Sequence, residues 1–357
     1  MRYRVIHGRE LDAGLADRWG SLQRSDPQFA SPYFRPEYAQ AVAATRNDLR
    51  ICLLEDGNQV VGFFPFHRSR GGVARPAGLG LSDHHGVIVE PAAEWHAADL
   101  LRGAGIVRWE FDHLLASQQA WETWHAGVER SPVIGAREGF EQYEATRSKS
   151  QRKHLQDTYR RARKLEREQG EFRFVVNTRD ESVLDTLVGW KREQCRRSGV
   201  VDYFGLGWTV ELIQRIHEHD SPDFGGTLSA LHLGDELIAA HFAMRSRDVW
   251  HSWFPGYEDH YRNYAPGLVL LVEMIRHACN EKFLYIDLGK GMAPYKEAFS
   301  TDAVMVAEGC AVRPSLVNRA YELRARAERW GRQSSLRPLL RAPGRWIKRL
   351  ERKWRYD

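Results

Sequence analysis

Apolar and polar positions alternate in the same way at two places in this chain. Gly57 to Phe66 and Gly234 to Met244 each open on a glycine in a polar turn and continue as an apolar run with the two-residue period of a strand. Arg50 to Leu54 and Thr227 to Leu233 supply the preceding strands, so each place reads as a hairpin. Ahead of the first hairpin, Tyr3 to Ile6 reads as a strand, followed by a helix through Trp19 and Leu22 and another over Glu37 to Thr45. Ahead of the second, Phe172 to Val176 is a strand, with helices over Val183 to Arg197 and Val210 to His217. Further strands are predicted at Ile106 to Phe111, Val249 to Phe254 and Phe283 to Leu288, and a helix over Leu268 to Cys279. Two related halves follow. Pro65 lacks a ladder donor, so its strand is expected to be irregular or at an edge there.

Strand pairs alternating with helices give an α/β (α+β) class with a mixed sheet. Between the halves, residues 147 to 168 form a charged helix with Leu155, Tyr159, Ala162 and Leu165 on one side. Arg147, Lys149, Arg152 and Lys153 crowd its start, against the helix dipole. This is the solvated face of a bridging helix, or else a contact for phosphate or an acidic acceptor. The expected units are residues 1–145, a bridge over 146–170, a second unit over 171–325 and a basic tail over 326–357.

With 357 residues, the chain suits two domains better than one core. Cys52, Cys195, Cys279 and Cys310 have neither metal nor redox spacing, which points to a reducing compartment. No stretch reaches the roughly 20 apolar residues that span a bilayer, and the expected location is cytoplasmic. The net charge of +5 is carried by the end of the chain, where nine Lys/Arg stand against two Asp/Glu from Gly331 onward. The body is near neutral, so the overall basic charge is poor evidence for a nucleic-acid enzyme. In the tail, Ile347, Leu350 and Trp354 lie at helical spacing among basic residues, so an anionic membrane surface is one expected partner and the protein's own body another.

Only the second half continues into a segment suited to an anionic ligand. Pro266 and Gly267 open the helix: Pro fits its first turn, and Gly267 lets a ligand approach the backbone. The N–H groups of Gly267, Leu268 and Val269 are expected to point outward at the positive helix end. Taken alone, a Pro-Gly pair also starts many purely structural helices.

The run from Gly256 to Gly267, with Phe283 to Gly291 and Tyr295-Lys296, resembles the CelD/BcsL-like acetyltransferases of the Gcn5-related N-acetyltransferase (GNAT) superfamily, which are similar to Fem-type aminoacyltransferases. The resemblance implies tandem duplicated GNAT folds with mixed central sheets, an acyl donor site in the second, and acetyl-CoA or another acyl-CoA as co-substrate with no metal. A Ser-Pro-Gly turn of that family is matched by Ala265, Pro266 and Gly267, with alanine replacing the cap hydroxyl. Trp190 to Gln194, with Lys191 and Gln194 on one helical side, matches another family feature. The sheet is then expected to splay between Val249 to Phe254 and Phe283 to Leu288, where a backbone amide near Ser252, Trp253 or Phe254 would face the oxyanion.

Within that frame a base must take the acceptor's proton. His241 is the first candidate, and reads equally as an ordinary hydrogen-bonded strand histidine. Asp287 would act as base or hold the acceptor, or merely cap the turn at Gly289. Tyr295 would protonate the departing thiolate, and Lys296 would balance phosphate charge. His84, His85, Lys191, Gln194, Trp250 and Tyr257 are the acceptor-side candidates, although core packing is the simpler role for Trp250. The triplet Asp83-His84-His85 reads as acceptor recognition or a domain-interface contact rather than a metal fragment, because adjacent histidines on a strand point opposite ways and no remote ligand set is evident. The expected activity is acetyl transfer to a sugar, an exopolysaccharide precursor or a related amine or hydroxyl. The alternatives are aminoacyl transfer from tRNA to a cell-wall precursor, and a noncatalytic double-fold scaffold for which Ala265 is the warning sign.

Overall fold

The computed structural model describes residues 1–316, 318 and 319. The basic tail lies outside the described residues. The first repeat runs β1 (Arg2–His7), α1 (Ala13–Ser25), α2 (Pro36–Thr45), β2 (Leu49–Asp56), β3 (Gln59–Arg68), β4 (Val73–Pro76), β5 (Ile88–Val89), α3 (Ala97–Gly103), β6 (Arg108–Leu115) and β7 (His125–Gly135). Helices α4 (Phe140–Ala145) and α5 (Lys149–Gln169) lead to β8 (Phe172–Val175), α6 (Glu181–Ser198), α7 (Gly207–Glu218), β9 (Asp220–Ser221), β10 (Phe224–Leu233), β11 (Glu236–Ser246) and β12 (Val249–Tyr257). Then come α8 (Pro266–Asn280), β13 (Tyr285–Asp287), α9 (Pro294–Phe299) and β14 (Asp302–Val312).

All these strands join one mixed sheet, ordered β1-β2-β3-β4-β6-β14-β7-β13-β12-β11-β10-β8, with β5 on β3 and β9 on β10. The halves repeat: β1-β2-β3-β4-β6 and β8-β10-β11-β12-β13 follow the same course, antiparallel except for one final parallel pair, β4 with β6 and β12 with β13. The seam is made by exchange. β14, from the end of the described chain, lies between β6 and β7, while β7 pairs with β13 of the second repeat.

One apolar cluster crosses the repeats, joining Trp19, Phe34 and Phe63 of the first to Leu212, Ile216 and Phe242 of the second. A second packs α5, α8 and α9 against the second repeat through Leu155, Leu165, Met274 and Phe299. A third packs α3 beneath the first through Leu100, Trp109 and Trp121. Among the described residues no helix is long and apolar enough to cross a membrane.

Two expectations change. Pro65 is on an interior strand, but β5 pairs β3 at Gly62 and Phe63 and β4 pairs it from Phe66 to Arg68, so the missing donor falls in the gap between them. Arg147 is a staple rather than part of a solvated face. Its guanidinium donates to the carbonyls of Tyr143, Phe299 and Ser300, at the C-terminal ends of α4 and α9 where a cation is favoured.

Candidate active site

The two parallel pairs have different fates. β12 and β13 pair at Val249↔Tyr285, Trp250↔Ile286 and His251↔Asp287, and no further. β12 continues along β11 to Tyr257, whereas the other strand turns away at Gly289, whose φ of +76° suits glycine. Beyond His251 the edge of β12 is open toward β13. A bulge sits there: Phe242 pairs with Phe254 and Ala243 with Ser252, leaving Trp253 as the extra residue. The Trp253 indole donates to the Leu81 carbonyl of the first repeat at 3.0 Å.

In the first repeat the same opening is filled by the chain itself. β4 and β6 pair only at Val73↔Arg108 and Ala74↔Trp109. His85 then enters as a parallel bridge to Leu114, its N–H on the His113 carbonyl at 2.8 Å and its carbonyl accepting from Leu115 at 3.0 Å. Gln118 clamps a residue just beyond, accepting from the Val87 N–H and donating to the Val87 carbonyl. Among the described residues no such insertion enters between β12 and β13.

The loop that fills the first opening also reaches the second. His84 Nε2 lies 2.7 Å from Asp287 Oδ2, and Ser131 Oγ and the Gly289 N–H both donate to Asp287 Oδ1. Burial raises the Asp287 carboxyl, but the His84 charge and hydrogen bond, with His251 and Ser131, outweigh it and hold the group well below its usual range. Asp83 Oδ2 lies 3.0 Å from His251 Nε2, and its Oδ1 3.5 Å from His113 Nε2. His84, His251 and Asp287 each place a ligand atom within 4.8 Å of the others, and His85 does so with Asp112 and His113. The remote partners that the sequence did not reveal for the two histidines are therefore present. For Asp287 the three donors already engage both carboxylate oxygens.

The other predicted site residues spread around this centre. His241 is buried, with Nε2 2.9 Å from Ser252 Oγ and Nδ1 2.9 Å from Met274 Sδ. Burial, then the charges of Lys191 and His251, lower its pKa to about 3, so the imidazole is neutral and weakly basic at pH 7. Lys191 donates to Gln194 on α6 at 2.7 Å, and burial lowers its pKa. Trp250 is in the core against His277 and Phe283. Tyr257 is exposed and stands beside Gly267, whose added Cβ would lie 3.5 Å from the ring. Tyr295 packs against the second cluster on α9, its phenol pKa raised by burial. Lys296 Nζ donates to the carbonyls of Gly289 and Lys290, clamping that turn.

At α8, Ala265 is the N-cap in the left-handed region (φ 51°) and Pro266 is buried. The Leu268 and Val269 N–H groups donate back to the Ala265 carbonyl, so they are not free as expected, and the amide of Gly267 is the one left to face a ligand. The basic face of α5 lies beside this corner: Arg161 donates to the Asn263 carbonyl at 3.0 Å and Lys164 stands over the Tyr264 ring. Sequence reasoning met Asp83 only as part of the Asp83-His84-His85 triplet and missed His113, His251 and Ser131, because their grouping needs both repeats.

Comparison with known proteins bears on the family and the fold. Residues 152–297 match the family described as "Acetyltransferase (GNAT) domain", so the second repeat carries a GNAT acetyltransferase domain. No curated protein matches the chain. Among solved structures, FemX is similar with a TM-score of 0.58 at 10% identity, covering 90% of this chain and 99% of its own. The C-terminal domain (DUF2156) from Agrobacterium fabrum, assigned to a lysylphosphatidylglycerol synthetase, gives 0.53 at 11% identity, covering 86% and 93%. A conserved protein of unknown function from Bacteroides thetaiotaomicron gives 0.52 at 10%, covering 86% and 99%. At these identities the likeness is one of fold.

Proposed function

We propose that the chain is an acyl-CoA-dependent acetyltransferase of the CelD/BcsL-like kind, acting on a sugar, an exopolysaccharide precursor or a related amine or hydroxyl. The observation that carries this reading is the end of the β12–β13 ladder at His251↔Asp287, with the bulge at Trp253 directly beyond it. A thioester laid along the open edge of β12 meets backbone donors near Ser252 to Phe254, which suit an oxyanion without a charged side chain. The first turn of α8, with Gly267 and the neighbouring Arg161 and Lys164, supplies an electropositive corner for the diphosphate. Direct attack by the acceptor needs no enzyme nucleophile.

Calorimetric titration with acetyl-CoA tests the reading. The wild-type chain is expected to bind saturably, and Gly267→Trp to weaken binding at least tenfold while the melting temperature stays near that of the wild type. Absence of saturable binding by the wild type would refute the donor assignment. Transfer that depends on aminoacyl-tRNA would instead support the Fem-type alternative.

A further inference from the structure

We propose that Asp83, delivered by the first repeat, is the acceptor-facing catalytic carboxylate of the second-repeat cleft. This rests on the acyl-transfer reading above.

Exposure separates Asp83 from its neighbours. The side chains of Asp287 and His251 are 0% exposed and that of His84 is 1%, so an acceptor cannot reach them. Asp83 is 25% exposed and His113 15%. Of the carboxylates of Asp83 and Asp287, only that of Asp83 meets the cleft. It does so at the right place, because its partner His251 is on the last rung before the strands part and Ser252 follows on the open edge.

Its aim is fixed from behind. The carrying loop is held by the His85 bridge and the Gln118 clamp, and His251 Nε2 engages Oδ2 at 3.0 Å. A Cβ built on Gly289 would lie 3.3 Å from Asp83 Oδ2 and 3.6 Å from Lys296 Nζ, so the carboxylate lies over the turn that ends β13. Burial raises the Asp83 carboxyl, but the His251 hydrogen bond and the charges of His251, His113 and His84 outweigh it, and the group stays ionised at neutral pH.

With an amine acceptor the nitrogen becomes acidic once it has attacked, and an ionised carboxylate can take its proton. As the N–C bond forms, the carbonyl pair moves to oxygen, and the proton lost by nitrogen passes to Asp83. Collapse then breaks the C–S bond, and the proton held by Asp83 is released as the thiolate takes up one from solvent, giving amide and thiol with Asp83 ionised again and no net change in protons.

The test uses the full chain with acetyl-CoA and three amino sugars, glucosamine, galactosamine and mannosamine, with products identified by mass. Asp83→Asn keeps an acceptor for His251, so acetyl-CoA affinity and melting temperature are expected to match the wild type while kcat falls at least 100-fold. Asp83→Glu should recover part of that loss. An Asp83→Asn variant within threefold of wild-type kcat would overturn the catalytic assignment alone. Failure of the wild type to bind acetyl-CoA would overturn the underlying reading and this inference with it.

Discussion

His84 and Asp287 meet at 2.7 Å across the seam, although 203 residues separate them in the chain. Both are buried, so the pair ties the loop of one repeat to the last parallel strand of the other. Removing His84 leaves the buried Asp287 carboxylate without that partner, and an uncompensated buried charge typically costs about 3–5 kcal/mol. His84→Ala is therefore expected to lower unfolding stability by roughly 3 kcal/mol. Urea denaturation measures it, and a loss below about 1 kcal/mol would show that Ser131 and Gly289 suffice.

Acid should weaken the fold before the carboxylates titrate. Burial lowers His85 and His241 to about 3 from an ordinary value near 6.5. Because the folded state resists their protonation, stability is complete above pH 6.5 and is lost as pH falls from there toward 3. Each histidine contributes at most about 1.4 kcal/mol per pH unit in that window. His241→Gln should give a shallower slope between about pH 6 and about pH 4 in pH-dependent melts, and an unchanged slope would contradict the assignment.

Gly289→Ala combines two penalties. Its φ of +76° costs an L-residue about 1–2 kcal/mol, and the added methyl crowds Asp83. The variant is expected to fold with a lower melting temperature and to lose acyl transfer more than acetyl-CoA binding. Equal loss of both would indicate general collapse of the turn.

Ser252→Ala removes the hydroxyl that meets His241 but keeps the backbone amide. The expectation is a stability loss of about 1 kcal/mol with transfer retained within threefold. A loss of transfer near 100-fold would give the hydroxyl a direct chemical role.

Much of this architecture can be read from the chain because local patterns are strong. The hairpins at Gly57 and Gly234, the two helices ahead of each, and the helix opened by Pro266 all lie where their periodicity places them. β7 and β14 escape such a reading. His125 to Pro132 mixes charged and small residues with a proline, and only its end from Ser131 is buried, so no clean alternation marks it. The site is legible only in part for a related reason. Asp287 stands out at the end of its strand, but Asp83 acquires its place through His251 and His113, which no spacing along the chain connects.

The exchange of β7 and β14 constrains how the molecule is made. The strand that completes the sheet beside β6 is the last one of the described chain to leave the ribosome, so the first repeat must wait with an unfinished edge until nearly all the rest has been synthesised. Fragments cut between α4 and α5 would each expose unpaired backbone at that junction, and co-expressed pieces should regain solubility only by finding one another.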